Sequence, residues 1–355
     1  MEKKHFRYSE QLNLNFEEPR SILRNRNEHS PIKQNKRKIT KNNLLNISKS
    51  ISPSKKHHHH SKSKDIDTLF FKNDNNSDDQ EDNSSKPCHY ISSPVFHSFK
   101  EYSYQEEKNE KFRDTMEDCA KIFDHFTDDP YKSFFSLFDG HGGFEVAKYA
   151  SEHFYKLFSK YLLEHKTKVE KALKKSFLLL DEELKKFKSI DNIGSTATVI
   201  FINRETDAML GTKKVLYCAN IGDSACVLFS KSGCKKLSYD HKCTDETEIT
   251  RIKRAGGVIV NERLNGKLAI SRAFGDFSMK SKGLTCEPFI NKIVLSESDK
   301  FIILCTDGIW DVINEEDLFY LTLNMEQTEQ IARDIIKQAL DNGSTDNMSC
   351  IVIKL

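Results

Sequence analysis

Two apolar segments of the chain end in the same way, and this repeated ending limits how the sequence can fold. Residues 134–140 read FFSLFDG and residues 301–308 read FIILCTDG, so each apolar run stops at an aspartate followed by a glycine. Short apolar runs that are bounded by turn residues are typical of buried strands. The chain is therefore expected to contain at least two buried strands that each deliver a carboxylate to the edge of a sheet.

Other patterns predict further strands and helices around these two. Apolar residues recur at three- and four-residue spacing in two long segments, and β-branched runs bounded by glycine or aspartate predict strands. The long helices are predicted at 145–163 and 169–187, and the strands at 195–202, 215–220, 224–229 and 349–354. Helices and strands are grouped rather than alternating. The grouping predicts an α+β fold, a layered β-sandwich of two antiparallel sheets flanked by pairs of helices.

Helix boundary signals predict three shorter helices. One begins near Asp245, where Glu248 is placed to complete a capping box, and ends at Gly256 and Gly257. The second begins at Asn314, and the third runs from about Thr328 to Gly343.

The first 90 residues have a different composition. Residues 1–64 contain 16 Lys and Arg against 5 Asp and Glu, whereas residues 65–90 contain 2 against 7. Such a polar segment cannot bury enough apolar surface to offset the entropy of ordering it. We therefore predict a disordered tail at 1–90, basic and then acidic, and one folded domain at 91–355.

Cysteine spacing and hydropathy indicate the compartment. The nine cysteines form no C-x-x-C pair, so we expect neither disulfides nor structural zinc. No apolar run approaches the roughly 18 to 20 residues that a membrane helix needs, and the first ten residues have no apolar stretch typical of a secretory signal. The expected location is the cytoplasm, the nucleus or both, with no transmembrane segment.

Further carboxylates occur at similar turns and strand ends. Asp223 lies in NIGDS and Asp346 in STDNMS. Glu117 and Asp118 lie in RDTMEDC, which also contains Arg113. Any one of these acids alone is best explained as a turn former. Several carboxylates converging at one sheet edge would instead repel one another unless cations held them, and oxygen ligands without cysteine favour Mg²⁺ or Mn²⁺ over zinc.

The motifs, taken in order, carry a family resemblance. They are RDTMED (113–118), FDGHGG (138–143), GSTA (194–197), NIGDS (220–224), DHK (240–242), EITRIKRAGG (248–257), NGKLAISRAFGD (265–276), DGIWD (307–311) and DN (346–347). With this ordered set, the chain resembles the type 2C metal-dependent protein serine/threonine phosphatases over about residues 100–355. The resemblance implies that residues 91–355 are a catalytic domain that hydrolyses phosphoserine and phosphothreonine with two metal ions. Whether a third ion also binds is left open.

The resemblance also implies roles for single residues. Asp139 would bridge both ions, the Gly140 carbonyl and Glu117 would help to hold one, and Asp307 and Asp346 would hold the other. Three further residues would act around the ions: Asp118 on metal-bound water, His141 as general acid, and Arg113 on the phosphate oxygens. Asp223 and Asp311 resemble the third-ion positions.

Other motif residues are expected to be structural. Trp310 is expected in the core, and Arg272 in an internal ion pair for which Asp276 is a candidate partner. Lys111 departs from the family pattern, which often has glycine there, and the flap between Gly257 and Gly266 should be compact.

Two other functions stay open at this point. The chain could be a catalytically inactive family member that binds partners, although such chains usually lose metal carboxylates. Alternatively, the basic tail could make it primarily a nucleic-acid or membrane binder. The favoured interpretation is a monomeric phosphatase that acts on phosphoproteins and requires no nucleic acid.

Overall fold

The structure, a computed structural model, describes residues 89–91 and 98–355 apart from 166, 167 and 210. The predicted disordered tail at 1–90 lies outside the described residues, except that His89 and Tyr90 belong to the first strand. Within this part of the chain, no helix is both long and apolar enough to span a membrane. The eight described cysteines are free thiols.

The described strands form two large antiparallel sheets and two small ones. The strands are β1 (His89–Ile91), β2 (Glu101–Glu107), β3 (Cys119–Phe123), β4 (Ser133–Phe138), β5 (Gly140–His141), β6 (Gly194–Ser195), β7 (Ala197–Asp207), β8 (Gly211–Ile221), β9 (Ala225–Ser230), β10 (Gly233–Lys236), β11 (Ile259–Val260), β12 (Arg263–Leu264), β13 (Phe274–Gly275), β14 (Phe289–Val294), β15 (Asp299–Cys305) and β16 (Met348–Lys354). One large sheet has the order β1-β2-β16-β15-β9-β10, and the other has the order β14-β8-β7-β4-β3. The small sheets are β13-β6-β5 and the pair β11-β12.

Helices cover the outer faces of the large sheets. They are α1 (Glu145–His165), α2 (Val169–Leu184), α3 (Glu246–Arg254), α4 (Phe277–Lys280), α5 (Asp307–Trp310), α6 (Glu315–Thr322) and α7 (Thr328–Asp341), with 3-10 turns at Phe126–Asp128 and Lys188–Ile190. Helices α1 and α2 pack on the five-stranded sheet, and α6 and α7 pack on the six-stranded sheet.

The alternation of side chains between the two faces of each buried strand explains this layering. In β4, Phe134 packs against Phe154 and Phe158 of α1, whereas Phe135 faces the other sheet. Successive side chains of a strand point to opposite faces, so a strand between two layers must be apolar on both sides. The space between the sheets is filled by residues such as Phe135 and Ile302. The predicted α+β sandwich with flanking helix pairs is confirmed.

Most predicted boundaries agree with the structure to within a few residues, and one capping prediction is wrong. Asp245 caps α3 by accepting hydrogen bonds from the backbone N–H groups of Thr247 and Glu248, and Gly256 follows the helix with φ +82°. The Glu248 carboxylate, however, does not complete a capping box. It turns inward and binds Arg251 and Arg272, because the charged hydrogen bonds from two guanidinium groups offset the cost of burying the carboxylate.

A small separate core supports the flap. Ile252 of α3, Leu264 of β12 and Met279 of α4 pack together, and β11 and β12 form a short hairpin above them. The flap is therefore compact, as predicted from its length.

Candidate active site

Five of the predicted acids lie close enough together to interact electrostatically. Burial raises the pKa of Asp139 well above its usual range, and the charges of four other aspartates raise it further. Strand ends and turns place this set: Asp118 before β3, Asp139 after β4, Asp223 in the turn between β8 and β9, Asp307 after β15 and Asp346 before β16. The two sheets thus bring together residues that are as far as 228 positions apart in the chain.

The same environment raises the pKa values of three other members of the cluster. The pKa of Asp307 is raised to about 8, that of Asp118 to about 7 and that of Asp223 to about 6, and burial is the largest cause in each case. Neighbouring carboxylates add to the shift, for example Asp223 and Asp346 on Asp307. These groups cannot all be negatively charged at neutral pH unless positive charge is added to the site.

One buried oxygen atom also lacks a partner. Asp118 Oδ2 accepts a hydrogen bond of 3.1 Å from Thr306 Oγ1, whereas Oδ1 is buried without a partner at hydrogen-bond distance among the described residues, although the nearby Ser349 hydroxyl lowers the pKa of this carboxyl. A buried polar oxygen without a partner is rare in folded proteins, and it fits a site that binds an ion or ordered water.

The donor types at this site suit hard cations. Among the described residues, no three or more His, Cys, Asp or Glu side chains are arranged so as to hold an ion by themselves. Mg²⁺ usually keeps several of its own waters and takes only one or two carboxylates from a protein. Carboxylates with one unpartnered oxygen and no thiol therefore fit Mg²⁺ or Mn²⁺, with water completing the coordination.

Gly140 makes a close backbone contact with Glu117. The Gly140 N–H donates to the Glu117 carbonyl at 3.2 Å, and a Cβ at position 140 would lie only 2.5 Å from that oxygen. The glycine is therefore required for this approach and not for a left-handed backbone conformation, since its φ is not positive. The Glu117 carboxylate accepts from Thr115 Oγ1 at 3.0 Å and from the Gly143 N–H at 3.2 Å.

Arg113 lies at the exposed rim of the acidic cluster. Its Nη2 donates to Asp346 Oδ2 at 2.5 Å, and its Nε donates to the Thr345 carbonyl at 3.2 Å. Lys111, the residue that departs from the family pattern, places its ammonium 4.8 Å from the ring centroid of exposed Phe112.

Two asparagines fasten the loop that carries Arg113, and their role was not predicted from the sequence. Buried Asn347 accepts from the Glu117 N–H at 2.9 Å and donates to the carbonyls of Lys108 and Thr115 at 2.8 and 3.0 Å. Asn109 donates to the Ser344 carbonyl at 2.8 Å. The Asp-Asn pair of the last motif was the available signal, but its partners lie more than 200 residues away.

His141 is paired with Asp276, the residue that was predicted from the sequence as a candidate partner of Arg272. Its Nε2 lies 2.6 Å from Oδ2 of buried Asp276. The internal ion pair predicted for Arg272 is confirmed, but the candidate partner Asp276 is wrong, because Arg272 Nη2 donates to Glu248 Oε1 at 2.6 Å. Arg272 also donates to the Glu287 carbonyl, which directs its guanidinium away from Asp276.

An ammonium group lies between the two predicted third-ion residues. Lys242 Nζ lies 3.3 Å from Asp311 Oδ1 and 3.8 Å from Asp223 Oδ2. Asp223 is buried and Asp311 is exposed, so this pair of acids borders solvent. Lys242 already supplies one positive charge at this position.

Two other predicted structural residues lie where they were expected. Trp310 packs against the core beneath the six-stranded sheet, and its Nε1 donates to the carbonyls of Cys305 and Ala225. Thr196, from the GSTA motif, holds the strand end at Asp139: its N–H donates to the Asp139 carbonyl at 2.9 Å, and its Oγ1 accepts from the Asp139 N–H at 3.3 Å.

Comparison with known proteins agrees with this fold and set of motifs. Protein phosphatase 2C homolog 1 of Saccharomyces cerevisiae is 36% identical over 259 residues, which cover 70% of this chain and 92% of the yeast protein. Protein phosphatase 1B of Homo sapiens is 34% identical over 257 residues, which cover 62% of this chain and 50% of the human protein.

Solved structures show the same architecture. A C. elegans sex determining protein is similar with a TM-score of 0.62 and 31% identity, over 71% of this chain and 64% of that one. A phosphatase from Toxoplasma gondii also has a TM-score of 0.62 and shares the fold at 22% identity, over 72% of this chain and 94% of that one. The sequence model of the protein phosphatase 2C family matches residues 102–348. The chain therefore belongs to the protein phosphatase 2C family of protein serine/threonine phosphatases.

Proposed function

We propose that this protein hydrolyses phosphoserine and phosphothreonine esters of phosphoproteins, and that two divalent cations bound within residues 91–355 are required. One observation carries the proposal: Asp139 is surrounded by four other aspartates whose charges oppose its ionisation. A fold that holds such a cluster together is suited to binding cations.

The family motifs, together with the clustering of the aspartates, support a set of proposed ligands. Asp139 would contact both ions, Gly140 through its carbonyl and Glu117 would help to hold one, and Asp307 and Asp346 would hold the other. When bound, Mg²⁺ or Mn²⁺ supplies a water of lowered pKa that can attack phosphorus. A third ion at Asp223 and Asp311 would have to displace Lys242 from its contacts with both.

The remaining residues would act on the substrate and on water. Within the described part of the chain, Arg113 uses two of its five N–H groups in the contacts with Asp346 and Thr345, and the others would bind non-reacting phosphate oxygens. His141 would protonate the serine or threonine oxygen as it leaves, which avoids release of a strongly basic alkoxide. Asp118, through its unpartnered Oδ1, would orient water beside the site.

The proposal extends to partners and compartment. Free thiols at the described cysteines support a reducing compartment, the cytoplasm or the nucleus. We propose that the protein acts there as a monomer on phosphoproteins, without a requirement for nucleic acid.

The proposed function is tested by hydrolysis of a phosphothreonine peptide and of p-nitrophenyl phosphate. With Mn²⁺ or Mg²⁺ the wild type should hydrolyse both, and EDTA should abolish the activity. Asp139→Asn should lower kcat by at least ~100-fold, since the ions contribute several kcal/mol of charge stabilisation.

Asp334→Asn is the matched control and should keep full activity, because Asp334 is a half-buried residue of α7 whose carboxylate accepts a hydrogen bond from Gln330 of the same helix. Hydrolysis that survives chelation, or that Asp139→Asn leaves unchanged, would contradict the proposal.

A further inference from the structure

The small sheet β13-β6-β5 brings two side chains together that lie 135 residues apart. In this sheet, His141 of β5 is opposite Gly194 of β6, and Gly194 is also opposite Gly275 of β13. Asp276 follows Gly275 directly. The strand register therefore places the side chains of His141 and Asp276 on either side of a glycine.

Gly194 leaves the space in which these side chains meet. A Cβ at position 194 would lie 2.1 Å from Asp276 Oδ2 and 2.4 Å from His141 Nε2, closer than real Cβ atoms come to other atoms. His141 Nε2 and Asp276 Oδ2 are 2.6 Å apart, which is a short charge-assisted hydrogen-bond distance. The Asp276 side chain is 7% exposed and that of His141 is 29% exposed, so the pair is anchored inside and open on the histidine side.

The backbone of Asp276 is fixed in a conformation that directs its carboxylate to His141. Asp276 has φ 47° and ψ 44°, a left-handed conformation that is uncommon for residues other than glycine. It stands at the N-cap of α4, where aspartate normally caps the helix, yet its side chain makes no capping bond. Its N–H donates to the Ile193 carbonyl at 2.9 Å, which ties it to the strand that contains Gly194.

A buried aspartate of α2 holds the same turn from below. Asp181 Oδ1 accepts from the Gly275 N–H at 2.9 Å and from Lys280 Nζ at 2.9 Å. Lys280 also donates to the Ala273 carbonyl at 2.9 Å. The turn is thus fastened on both sides of Asp276 by bonds that do not use the Asp276 carboxylate.

We propose that Asp276 is a positioning residue that keeps a proton on Nε2 of His141 and makes Nδ1 the nitrogen that serves the leaving group. Among the described residues, His141 Nδ1 has no hydrogen-bond partner, so it is free for a substrate. A carboxylate paired with one nitrogen fixes the ring orientation and stabilises the doubly protonated ring, as in other carboxylate–histidine pairs.

This proposal rests on the proposed phosphatase function. In the reaction, a water oxygen forms a bond to phosphorus, and the bond from phosphorus to the serine or threonine oxygen breaks. The Nδ1 proton passes to that departing oxygen, which gives a neutral alcohol and inorganic phosphate. The attacking water releases one proton to solvent and keeps the other on the phosphate. His141, doubly protonated before the step, becomes neutral, keeps its proton on Nε2 hydrogen-bonded to the Asp276 carboxylate, and regains a proton at Nδ1 from solvent.

The test compares two substrates that differ in their need for a proton. A phosphothreonine peptide must release an alkoxide or an alcohol, whereas p-nitrophenyl phosphate releases a stable phenolate. Asp276→Asn keeps the side-chain shape and tolerates a left-handed backbone. With the full chain and Mn²⁺, this variant should lose ~10–100-fold in kcat on the peptide, the usual range for a residue that orients another group, and no more than about threefold on p-nitrophenyl phosphate.

A spectroscopic measurement tests the contact without turnover. In metal-free wild-type protein, the hydrogen-bonded Nε2 proton of His141 should give a low-field proton NMR resonance. The resonance should be absent in His141→Gln and lost or moved upfield in Asp276→Asn, and it should be unchanged in the control Asp334→Asn.

Gly194→Ala provides a second route should Asp276→Asn fail to fold. Its methyl group would push the paired side chains apart, so it should reproduce both the substrate-selective loss and the NMR change. An equal loss on both substrates in an Asp276→Asn protein with native circular dichroism, or an unchanged resonance, would overturn the positioning role. A wild type that hydrolyses neither substrate would instead overturn the proposed function, and the reaction role of Asp276 with it.

Discussion

Asp307 is an aspartate whose surroundings oppose its own charge. Burial is the main reason that its pKa rises to about 8, and Asp223 and Asp346 add repulsion. Its pKa in the folded state therefore lies above the value of about 3.9 expected for an unfolded chain. In protein without cations, the contribution of this group to the free energy of unfolding is therefore fully present below about pH 4. It is lost as the pH rises towards 8.

Neutralising Asp307 should therefore separate stability from activity. We expect Asp307→Asn to raise the Tm of the protein in EDTA at pH 8 by about 2–4 °C, the shift that ~1 kcal/mol causes in a domain of this size. The same change should abolish Mn²⁺-dependent hydrolysis. Thermal unfolding by calorimetry, with Asp334→Asn as control, checks the result; a lower Tm than that of wild type at pH 8 would count against it.

At the scale of elements, the site depends on a loop that has no regular structure of its own. Residues 108–118 connect β2 to β3 and carry Arg113 and Glu117. Asn347, just before β16, makes three hydrogen bonds to the backbone of this loop. The loop is therefore positioned by the last strand of the six-stranded sheet.

Removing this fastening should affect substrate binding most. Asn347→Ala removes three hydrogen bonds to the backbone of the loop and lets Arg113 move, so we expect KM for a phosphopeptide to rise about tenfold, equivalent to ~1.4 kcal/mol. Steady-state kinetics measure the change. Asn342→Ala, which removes an asparagine bonded to the Val312 carbonyl at the end of α7, is the matched control and should leave KM unchanged. An unaltered KM in Asn347→Ala would show that the loop holds its position unaided.

At the scale of the whole molecule, one buried histidine links pH to global stability. His241 is fully buried and joins separate elements: its N–H donates to the Gly222 carbonyl, and its carbonyl accepts from the Ser271 N–H. Burial, the largest cause, and the charge of Arg272 together lower the pKa of His241 to about 4. An unfolded chain binds a proton at this histidine near pH 6.5, before the folded protein does.

Stability should therefore fall as the pH decreases from about 6.5 to about 4, by roughly 3 kcal/mol from this group. Urea unfolding at several pH values measures the effect. In His241→Gln the slope over this range should become shallower, whereas His125→Gln, at an exposed position, should retain the wild-type slope. An identical slope in wild type and His241→Gln would rule out His241 as its cause.

The sequence predicted the layers and the acidic cluster because both depend on local patterns. Apolar runs that end at Asp139 and Asp307 define buried strands, and antiparallel sheets bring such ends together. It did not predict the partners of Glu248 and Asp276, because these depend on which elements pack against them and not on neighbouring residues. Proximity in sequence favours Asp276, four residues from Arg272, whereas the packing of α3 brings Glu248, 24 residues away, to the guanidinium instead.

The position of β16 has a consequence for how the protein comes to be active. This strand lies between β2 and β15, so its pairing with β2 joins residues at opposite ends of the described chain. Contacts between such distant residues form slowly, because a long loop must close before they are gained. A partly folded chain that contains only α1, α2 and the five-stranded sheet would lack Asp307, Asp346 and the anchored Arg113 loop. Such an intermediate would have no means of removing phosphate from other proteins, and enzymatic competence would begin only when the second sheet closes.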